Sequence, residues 1–123
     1  MNDYLDVPEA FVRKVREACA HLPEAYEEQA FAGFRFRIRG NTLVHVVTRD
    51  VEPEPLTTMT FHCRGAEAEA LVASGDPFYP GWGGGLVALV LRDNTDWTEV
   101  KELLTDSYCY CAPKKLIALL PPP

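Results

Sequence analysis

The side chains best suited to chemistry in this sequence are three arginines that alternate with apolar residues, Arg35, Arg37 and Arg39. Because successive side chains of a strand point to opposite faces, residues 34–39 are predicted to form a half-buried strand with the arginines in one row. Neighbours in such a row lie about 6.6 to 7 Å apart, near the spacing of successive phosphates. Since guanidinium groups pair well with phosphate oxygens, the row is a candidate binding surface for DNA or a phosphorylated ligand.

The same arginines also fit an ordinary solvated sheet face. In that interpretation they pair with acidic residues of a neighbouring strand, and Glu24, Glu27 and Glu28 are the nearest candidates. Cross-strand pairs of opposite charge are common, which makes this the more conservative interpretation. Lys114 and Lys115 either extend the cationic row or cover apolar surface with their aliphatic stems. Spatial neighbours, which a sequence does not provide, decide between these interpretations.

Three aromatic residues are candidates for contact with a ligand or a partner. Tyr108 ends a predicted helix near the two lysines, so its ring is either a stacking platform for a base or a core aromatic. Tyr79 and Trp82 lie in a loop rich in glycine and proline, residues 76–85, and such loops often carry binding residues. Three consecutive glycines in this loop suggest a small-ligand site. However, the loop lacks the Lys-Ser/Thr of a phosphate-binding loop and precedes a predicted strand instead of a helix.

Neither a metal site nor a catalytic group is predicted. Zinc sites usually combine two cysteine pairs with two to four residues inside each pair, whereas Cys109 and Cys111 enclose one residue and no second pair exists. His45 and His62 lie on predicted strands at a spacing that does not support a metal site. No G-x-S-x-G or H-E-x-x-H motif occurs. We therefore expect free cysteines, no cofactor and no enzymatic activity.

Length and charge define the class of protein. The 123 residues match one ordinary domain, predicted over residues 1–120 with a proline tail at 121–123. No apolar run approaches the roughly 20 residues of a membrane helix, and the first residues do not resemble a signal peptide, so a cytoplasmic location without membrane contact is expected. A monomer is the expected assembly. The net charge of −6 gives nucleic acid no overall attraction, so contact with DNA depends on a local basic surface.

Hydrophobic periodicity and turn residues predict a mixture of helices and strands. Helices are predicted over residues 6–21, 65–74, 95–107 and 113–119. Strands are predicted over residues 34–39, 42–48, 56–63 and 86–91, with a hairpin turn at residues 40–41. Residues 24–32 are ambiguous, and residues 76–85 are predicted to be a long connection. The chain is therefore expected to be a single α+β domain.

Two stretches of the sequence resemble the MmcQ/YjbR family. The first runs from Leu22-Pro23-Glu24 to the strand and turn Phe34-Arg35-Phe36-Arg37-Ile38-Arg39-Gly40. The second contains Asp96-Trp97, Leu103-Leu104, Ser107-Tyr108 and Ala112-Pro113-Lys114-Lys115-Leu116 in the family's order and spacing. The resemblance implies a CyaY-like α+β fold, in which helices pack on an antiparallel sheet, and a general label of DNA-binding protein. It implies no catalytic residues, because none is established for that family.

Three functions follow as hypotheses. The first is a small binding protein of the MmcQ/YjbR type that contacts DNA through the basic strand face, with Arg35, Arg37, Arg39, Lys114, Lys115 and Tyr108 as its candidate residues. The second is a protein-interaction module that uses Tyr79 and Trp82. The third is a small-ligand-binding protein that uses the glycine-rich loop.

Overall fold

The computed structural model describes residues 3–122, which form seven strands and four helices. The strands are β1 (Tyr4–Leu5), β2 (Tyr26–Gln29), β3 (Phe34–Ile38), β4 (Asn41–Arg49), β5 (Leu56–His62), β6 (Phe78–Pro80) and β7 (Leu86–Leu91). The helices are α1 (Glu9–Cys19), α2 (Gly65–Ala73), α3 (Trp97–Cys111) and α4 (Lys114–Ile117).

All seven strands belong to one antiparallel sheet. Six of them follow the order β2-β3-β4-β5-β7-β6, and β1 pairs with the end of β4 that β3 does not reach. The register aligns His45, Thr60 and Ala88 across β4, β5 and β7, and Tyr79 of β6 continues that row. The expected α+β class, with helices packed on an antiparallel sheet, is therefore confirmed.

One side of the sheet, which we call the covered face, packs against the helices. Its strand residues are buried at every second position, as Phe36, Val46, Met59 and Leu89 illustrate. α1 and α3 place their apolar sides against this face, because hydrophobic residues recur on each helix every three or four positions. The buried residues are Val12, Val15, Ala18 and Cys19 of α1 and Val100, Leu103, Leu104, Ser107 and Tyr108 of α3.

Two polar side chains of α3 bind the covered face to neighbouring segments. Ser107 is fully buried; its hydroxyl donates to the carbonyl oxygen of Leu43 at 2.6 Å and accepts from the backbone N–H of His62 at 2.9 Å. Leu43 is the extra residue of a bulge opposite β3, so Ser107 supplies a partner where the strand pairing is irregular. The hydroxyl of Tyr108 donates to the carbonyl oxygen of Pro23 at 2.8 Å.

The other side of the sheet, which we call the open face, has no helix lying across its strands in the described part of the chain. Only the last turn of α3 reaches its edge, through Tyr110 and Cys111. The open face is formed by Arg35 and Arg37 of β3, His45, Val47 and Arg49 of β4, Leu56, Thr58, Thr60 and His62 of β5, Leu86, Ala88 and Val90 of β7, and Tyr79 of β6.

Most of the predicted elements are present, with shifted ends. α1 begins at Glu9 because Pro8 occupies the N-cap, and α3 continues to Cys111, four residues beyond the predicted end at residue 107. The side chain of Asp96 caps α3 by accepting from the N–H groups of Thr98 and Glu99, each at 3.1 Å. β1, β2 and β6 were not predicted, because two to four residues are too few for a periodic pattern. Between residues 3 and 122, we find no helix with the length and apolar character needed to cross a membrane.

Candidate functional site

The predicted arginine row is only partly formed. Arg35 and Arg37 lie side by side on the open face, and both bind Oε1 of Glu28, which projects from β2. The Nε atom of Arg35 donates to that oxygen at 2.7 Å, and Nη1 of Arg37 donates at 3.2 Å. The hydrogen bond from Arg35 is the main reason that the pKa of Glu28 is lowered. The Glu28 carboxylate thus pairs with two of the three arginines of the predicted row, as the interpretation of a solvated sheet face expects.

Arg39 does not belong to the row, which corrects the predicted strand over residues 34–39. β3 ends at Ile38, and Arg39 adopts a φ of 50°, in the left-handed region. Its Nε atom donates to Oε1 of Glu24 at 2.9 Å, and this bond is the main cause of the lowered pKa of Glu24. Glu27, the third acidic candidate, faces the covered side and binds Nε of Arg16 at 2.6 Å.

The remaining cationic and aromatic candidates at the C-terminal end do not join Arg35 and Arg37. Lys114 and Lys115 are exposed at the start of α4 and line none of the depressions described below. Tyr108 is 0% exposed, and its ring lies in the core against the covered face. A base therefore has no free face of this ring to stack on, so the stacking role predicted for Tyr108 is wrong in this fold, and the core interpretation applies.

Two adjoining depressions on the open face form the candidate site. The first has a volume of about 520 Å³ and the second about 580 Å³, and they share His45, Thr60 and Trp82. The first is also lined by Arg35, Asn41, Thr42, Leu43, Phe61, His62, Arg64, Leu86, Tyr110 and Cys111. The second is also lined by Tyr4, Val47, Arg49, Leu56, Thr58, Tyr79, Pro80, Gly81, Ala88, Val90 and Arg92.

The charges in this lining all have one sign. The charged side chains among the described lining residues are Arg35, Arg49, Arg64 and Arg92, and no carboxylate is present. Two of these arginines are held by acidic residues at the rim. Glu28 binds Arg35, and Asp76 binds both terminal nitrogens of Arg92, at 2.8 and 3.0 Å. Arg49 and Arg64 have no carboxylate partner within residues 3–122.

Asp76, at the rim of the second depression, has a lowered pKa. It accepts hydrogen bonds from Arg92 and, at 2.8 Å, from the hydroxyl of Tyr79. The bond from Arg92, followed by the bond from Tyr79, lowers the pKa of this carboxyl. Asp76 therefore stays ionised and keeps the Arg92 guanidinium engaged at the edge of the second depression.

Aromatic side chains border the same surface. Trp82 is 83% exposed and lines both depressions, and Tyr79 is 43% exposed beside it. Gly81, which precedes Trp82, packs closely against β7: a Cβ added to it would lie 2.6 Å from the carbonyl oxygen of Leu86. Only glycine allows the hairpin between β6 and β7 to close this tightly. The loop thus holds the indole ring at the junction of the two depressions.

Two histidines contribute polar surface to the first depression. Nε2 of His45 lies 2.8 Å from the carbonyl oxygen of Ala32, and Nε2 of His62 lies 3.0 Å from that of Thr42. Since a carbonyl oxygen accepts and does not donate, each Nε2 carries the proton. Nδ1 of His62 is buried without a partner in the described part of the molecule. Both imidazoles are anchored to backbone carbonyl groups.

The glycine-rich loop also forms one wall of a separate groove against α2. This groove has a volume of about 810 Å³ and is mainly apolar; Arg64 and Glu69 are the charged residues among those described in its lining. β7 begins directly after the loop, at Leu86, and no helix starts there. The loop therefore lacks the helix N-terminus that phosphate-binding loops use.

Sequence reasoning found Arg35, Tyr79 and Trp82 but missed Arg49, Arg64 and Arg92. The alternation of β4 and β5 placed His45 and His62 on strands, and the same alternation was a signal for Arg49, since it follows His45 by four residues. No local pattern marks Arg64 or Arg92. Strand order brings them to one surface, and strand order is not readable from residue types.

The fold and the site define a small α+β protein whose antiparallel sheet leaves an arginine-lined, aromatic-bordered face uncovered. Residues 20–110 match the YjbR family model, which covers most of the chain, so the protein belongs to the YjbR family. A search of curated proteins finds no match. The matched region includes Pro23, Ser107 and Tyr108, whereas Lys114 and Lys115 lie beyond its end.

Proposed function

We propose that this YjbR family protein binds single-stranded nucleic acid across the open face of its sheet, without catalysing a reaction. The observation that supports this function is the charge of the two depressions: every charged side chain among their described lining residues is an arginine. This local excess occurs on a chain whose net charge is −6. Guanidinium groups attract phosphates over short distances even when the overall charge repels them.

The aromatic residues favour nucleic acid over a simple anion. Trp82 and Tyr79 stand exposed beside the arginines of the second depression. Proteins that bind single strands commonly stack bases on aromatic rings of a sheet while cations contact the backbone. Each such stack contributes about 1 to 3 kcal/mol per base.

The width of the open face favours a single strand over a duplex. Six neighbouring strands at about 4.8 Å spacing span roughly 24 Å. The major groove of B-DNA is about 12 Å wide and admits a helix or a two-stranded ribbon. The sheet is therefore too broad to enter that groove, while an unpaired strand can lie across it with its bases on the aromatic rings.

The two unpaired arginines set the expected length of the bound strand. Arg49 pairs in register with Leu56 at one end of β5, and Arg64 follows the other end in an extended conformation. The nine residues from Leu56 to Arg64 are separated by eight steps, which cover roughly 26 Å at about 3.3 Å per step. We therefore expect a footprint of a few nucleotides, near the short end of the range of about 4 to 16 that single OB-fold sites cover.

The test is a fluorescence anisotropy titration of a labelled twelve-nucleotide single strand and the matching duplex, repeated at several salt concentrations. The wild type is compared with an Arg49→Ala/Arg64→Ala variant and with a Lys114→Ala/Lys115→Ala variant. The second variant removes the same charge from a surface outside the two depressions, so it controls for the change in net charge.

We expect the wild type to bind the single strand more tightly than the duplex, with an affinity that falls as salt rises. Loss of Arg49 and Arg64 should reduce the slope of log affinity against log salt by about 1.4, because each phosphate contact on a single strand contributes about 0.7. The lysine variant should keep the wild-type slope. Equal weakening by both variants, or no binding at low salt, would contradict the proposal.

A protein partner is the second candidate, and the exposure of Trp82 favours it. A tryptophan that is 83% exposed on a folded domain is an effective anchor for an interface, since aromatic residues dominate binding energy at protein contacts. In that case Trp82→Ala should abolish capture of a partner from lysate, whereas Arg49→Ala/Arg64→Ala should retain it. Loss of capture with the arginine variant alone would weigh against this candidate.

A further inference from the structure

Arg64 differs from the other arginines of the site in how its side chain is held. Its Cζ atom lies 4.8 Å from the centroid of the Tyr110 ring, within the range of a cation–π contact. Gly85 packs against the same side chain, because a Cβ added there would lie 3.0 Å from Nε and 3.4 Å from Cγ of Arg64. The guanidinium is thus positioned by a ring and a backbone segment, not by a carboxylate.

The hydrogen-bonding capacity of Arg64 is consequently unused. Arg35 and Arg92 donate to Glu28 and Asp76, and those bonds neutralise part of their charge. Within residues 3–122, the Arg64 guanidinium makes no hydrogen bond, and no carboxylate lies within 4.0 Å of it. A ring contact leaves the in-plane N–H donors free, since the ring interacts with the flat side of the guanidinium.

We propose that Arg64 is a pre-positioned anchor for a phosphate group in the first depression, and that Tyr110 and Gly85 are its positioning residues. The inference rests in part on the proposed function, because it names the residue that would hold a phosphate of the bound strand. The paired N–H donors of the guanidinium match two oxygens of a phosphate. Trp82 lines the same depression, which at about 520 Å³ has room for the attached nucleoside.

Because Arg64 is held in place before a ligand binds, it should contribute more to phosphate affinity than Arg35 or Arg92. A free arginine loses rotamer freedom when it binds, whereas the side chain of Arg64 is already restricted by Tyr110 and Gly85. Arg35 and Arg92 must share or exchange an acidic partner before they bind a phosphate with full charge. Arg64 needs no such exchange.

A double-mutant cycle tests the anchor and its positioning residue together. Affinity for an eight-nucleotide oligothymidylate with a 5′-hydroxyl end is measured for wild type, Arg64→Ala, Tyr110→Ala and the double variant, with Tyr110→Phe and Arg64→Lys as conservative changes. We expect Arg64→Ala to weaken binding by about tenfold or more, as for loss of a hydrogen bond to a charged group. Arg64→Lys should also weaken it, because lysine keeps the charge but lacks the planar fork.

Tyr110 should act only through Arg64. Tyr110→Ala should weaken binding severalfold when Arg64 is present and have no effect in the Arg64→Ala background, while Tyr110→Phe should keep the wild-type affinity. A Tyr110→Ala effect of equal size in both backgrounds would overturn the positioning role. Thermal melts of the same variants show whether each one is folded at the temperature of the titration.

A second arm separates this inference from the proposed function. Inorganic phosphate and thymidine 5′-monophosphate are titrated into ¹⁵N-labelled wild-type protein while the Nε–Hε resonance of Arg64 is followed by NMR. Movement of that resonance without any oligonucleotide binding would support the phosphate anchor and reject the nucleic-acid function. Oligonucleotide binding that neither shifts this resonance nor depends on Arg64 would support the function and overturn the anchor. Binding of an acidic peptide in preference to phosphate would also overturn it.

Discussion

The two faces of the sheet differ in how completely their polar side chains are paired. On the covered face, Ser107 bridges two strands, Tyr108 binds the carbonyl oxygen of Pro23, and Thr48 and Thr57 share a buried hydrogen bond of 2.7 Å. On the open face, Arg49 and Arg64 have no acidic partner in the described part of the chain. Polar groups that are satisfied internally stabilise the fold, whereas unsatisfied charged groups at a concave surface are available to a ligand.

Several residues of the family motifs make specific contacts on the covered side of the sheet. Tyr108 binds the carbonyl oxygen of Pro23, and Ser107 binds β4 and β5 on the covered side, so these motif residues specify how α3 and the turn after α1 pack on the sheet. Of the open-face arginines, Arg35 and Arg37 lie within those motifs, whereas Arg49, Arg64 and Arg92 lie outside them, as does Trp82. A motif match therefore identifies the architecture of this protein and leaves its ligand to be argued from the open face.

Loss of the Ser107 hydroxyl should have the largest effect on stability. Ser107→Ala leaves the carbonyl of Leu43 and the N–H of His62 without this partner in a buried location, which costs about 1 to 3 kcal/mol. Urea denaturation followed by circular dichroism measures the change. Ser74→Ala is the matched control, because its hydroxyl makes a local, exposed hydrogen bond and should change stability by no more than about 0.5 kcal/mol.

Ser107→Ala also tests whether the two faces act independently. Ser107→Ala should leave oligonucleotide affinity unchanged at temperatures where the protein is folded, since Ser107 does not line either depression. A variant that remains stable while losing affinity would show that the two faces are not independent.

Removal of the Asp76 charge should strengthen binding. Asp76→Asn takes away the carboxylate that engages Arg92 and adds one unit of positive charge beside the second depression. We expect a severalfold gain in affinity for the single strand and a steeper dependence on salt. Glu102→Gln, on the exposed side of α3, removes the same charge on the helical layer and serves as the control. Equal gains from both variants would indicate a general charge effect instead of a local one.

The smallest expected effect is the acid sensitivity conferred by three carboxylates that pair with arginines. The pKa values of Glu24, Glu28 and Asp76 are lowered, chiefly by hydrogen bonds from Arg39, Arg35 and Arg92 respectively. A carboxyl whose pKa is lowered in the folded state stabilises the protein at pH values above its pKa in the unfolded state. This contribution is lost as the pH falls through its pKa in the folded state. The ordinary values are 4.5 for Glu and 3.8 for Asp, so the loss should occur below about pH 4.5.

Urea midpoints measured from pH 6 to pH 3 check this expectation. The midpoint of the wild type should fall more steeply below pH 4.5 than that of a Glu28→Gln/Asp76→Asn variant. Because these groups are exposed, solvent screening keeps the difference small. A wild-type profile that is flatter than the variant profile would contradict the assigned ion pairs.

Much of the covered face was readable from the sequence, because burial imposes period-two and helical patterns over five or more residues. The alternation in residues 34–38 placed Phe34, Phe36 and Ile38 in the core and Arg35 and Arg37 outside, as observed. The position of Arg39 was not readable, since its left-handed backbone arises at the turn into β4. The core interpretation of Tyr108 was available from the sequence, but its partner at Pro23, 85 residues away, was not.

The candidate site was harder to predict for a different physical reason. Arg49, Arg64 and Arg92 are separated in sequence and converge because β7 pairs with β5, which in turn pairs with β4. A pairing order of that kind depends on the whole sheet. Trp82 and Tyr79 were found because a loop rich in glycine and proline is recognisable locally.

The most direct test of the open face as the binding surface is an NMR titration of the ¹⁵N-labelled protein with an unlabelled single strand. We expect the largest changes in chemical shift at the N–H groups of His45, Thr60 and Ala88 and at the indole N–H of Trp82, with small changes along α1 and along α3 before its last turn. If the changes instead concentrate at Lys114 and Lys115, or on the exposed side of α1, the open face is not where this protein binds nucleic acid.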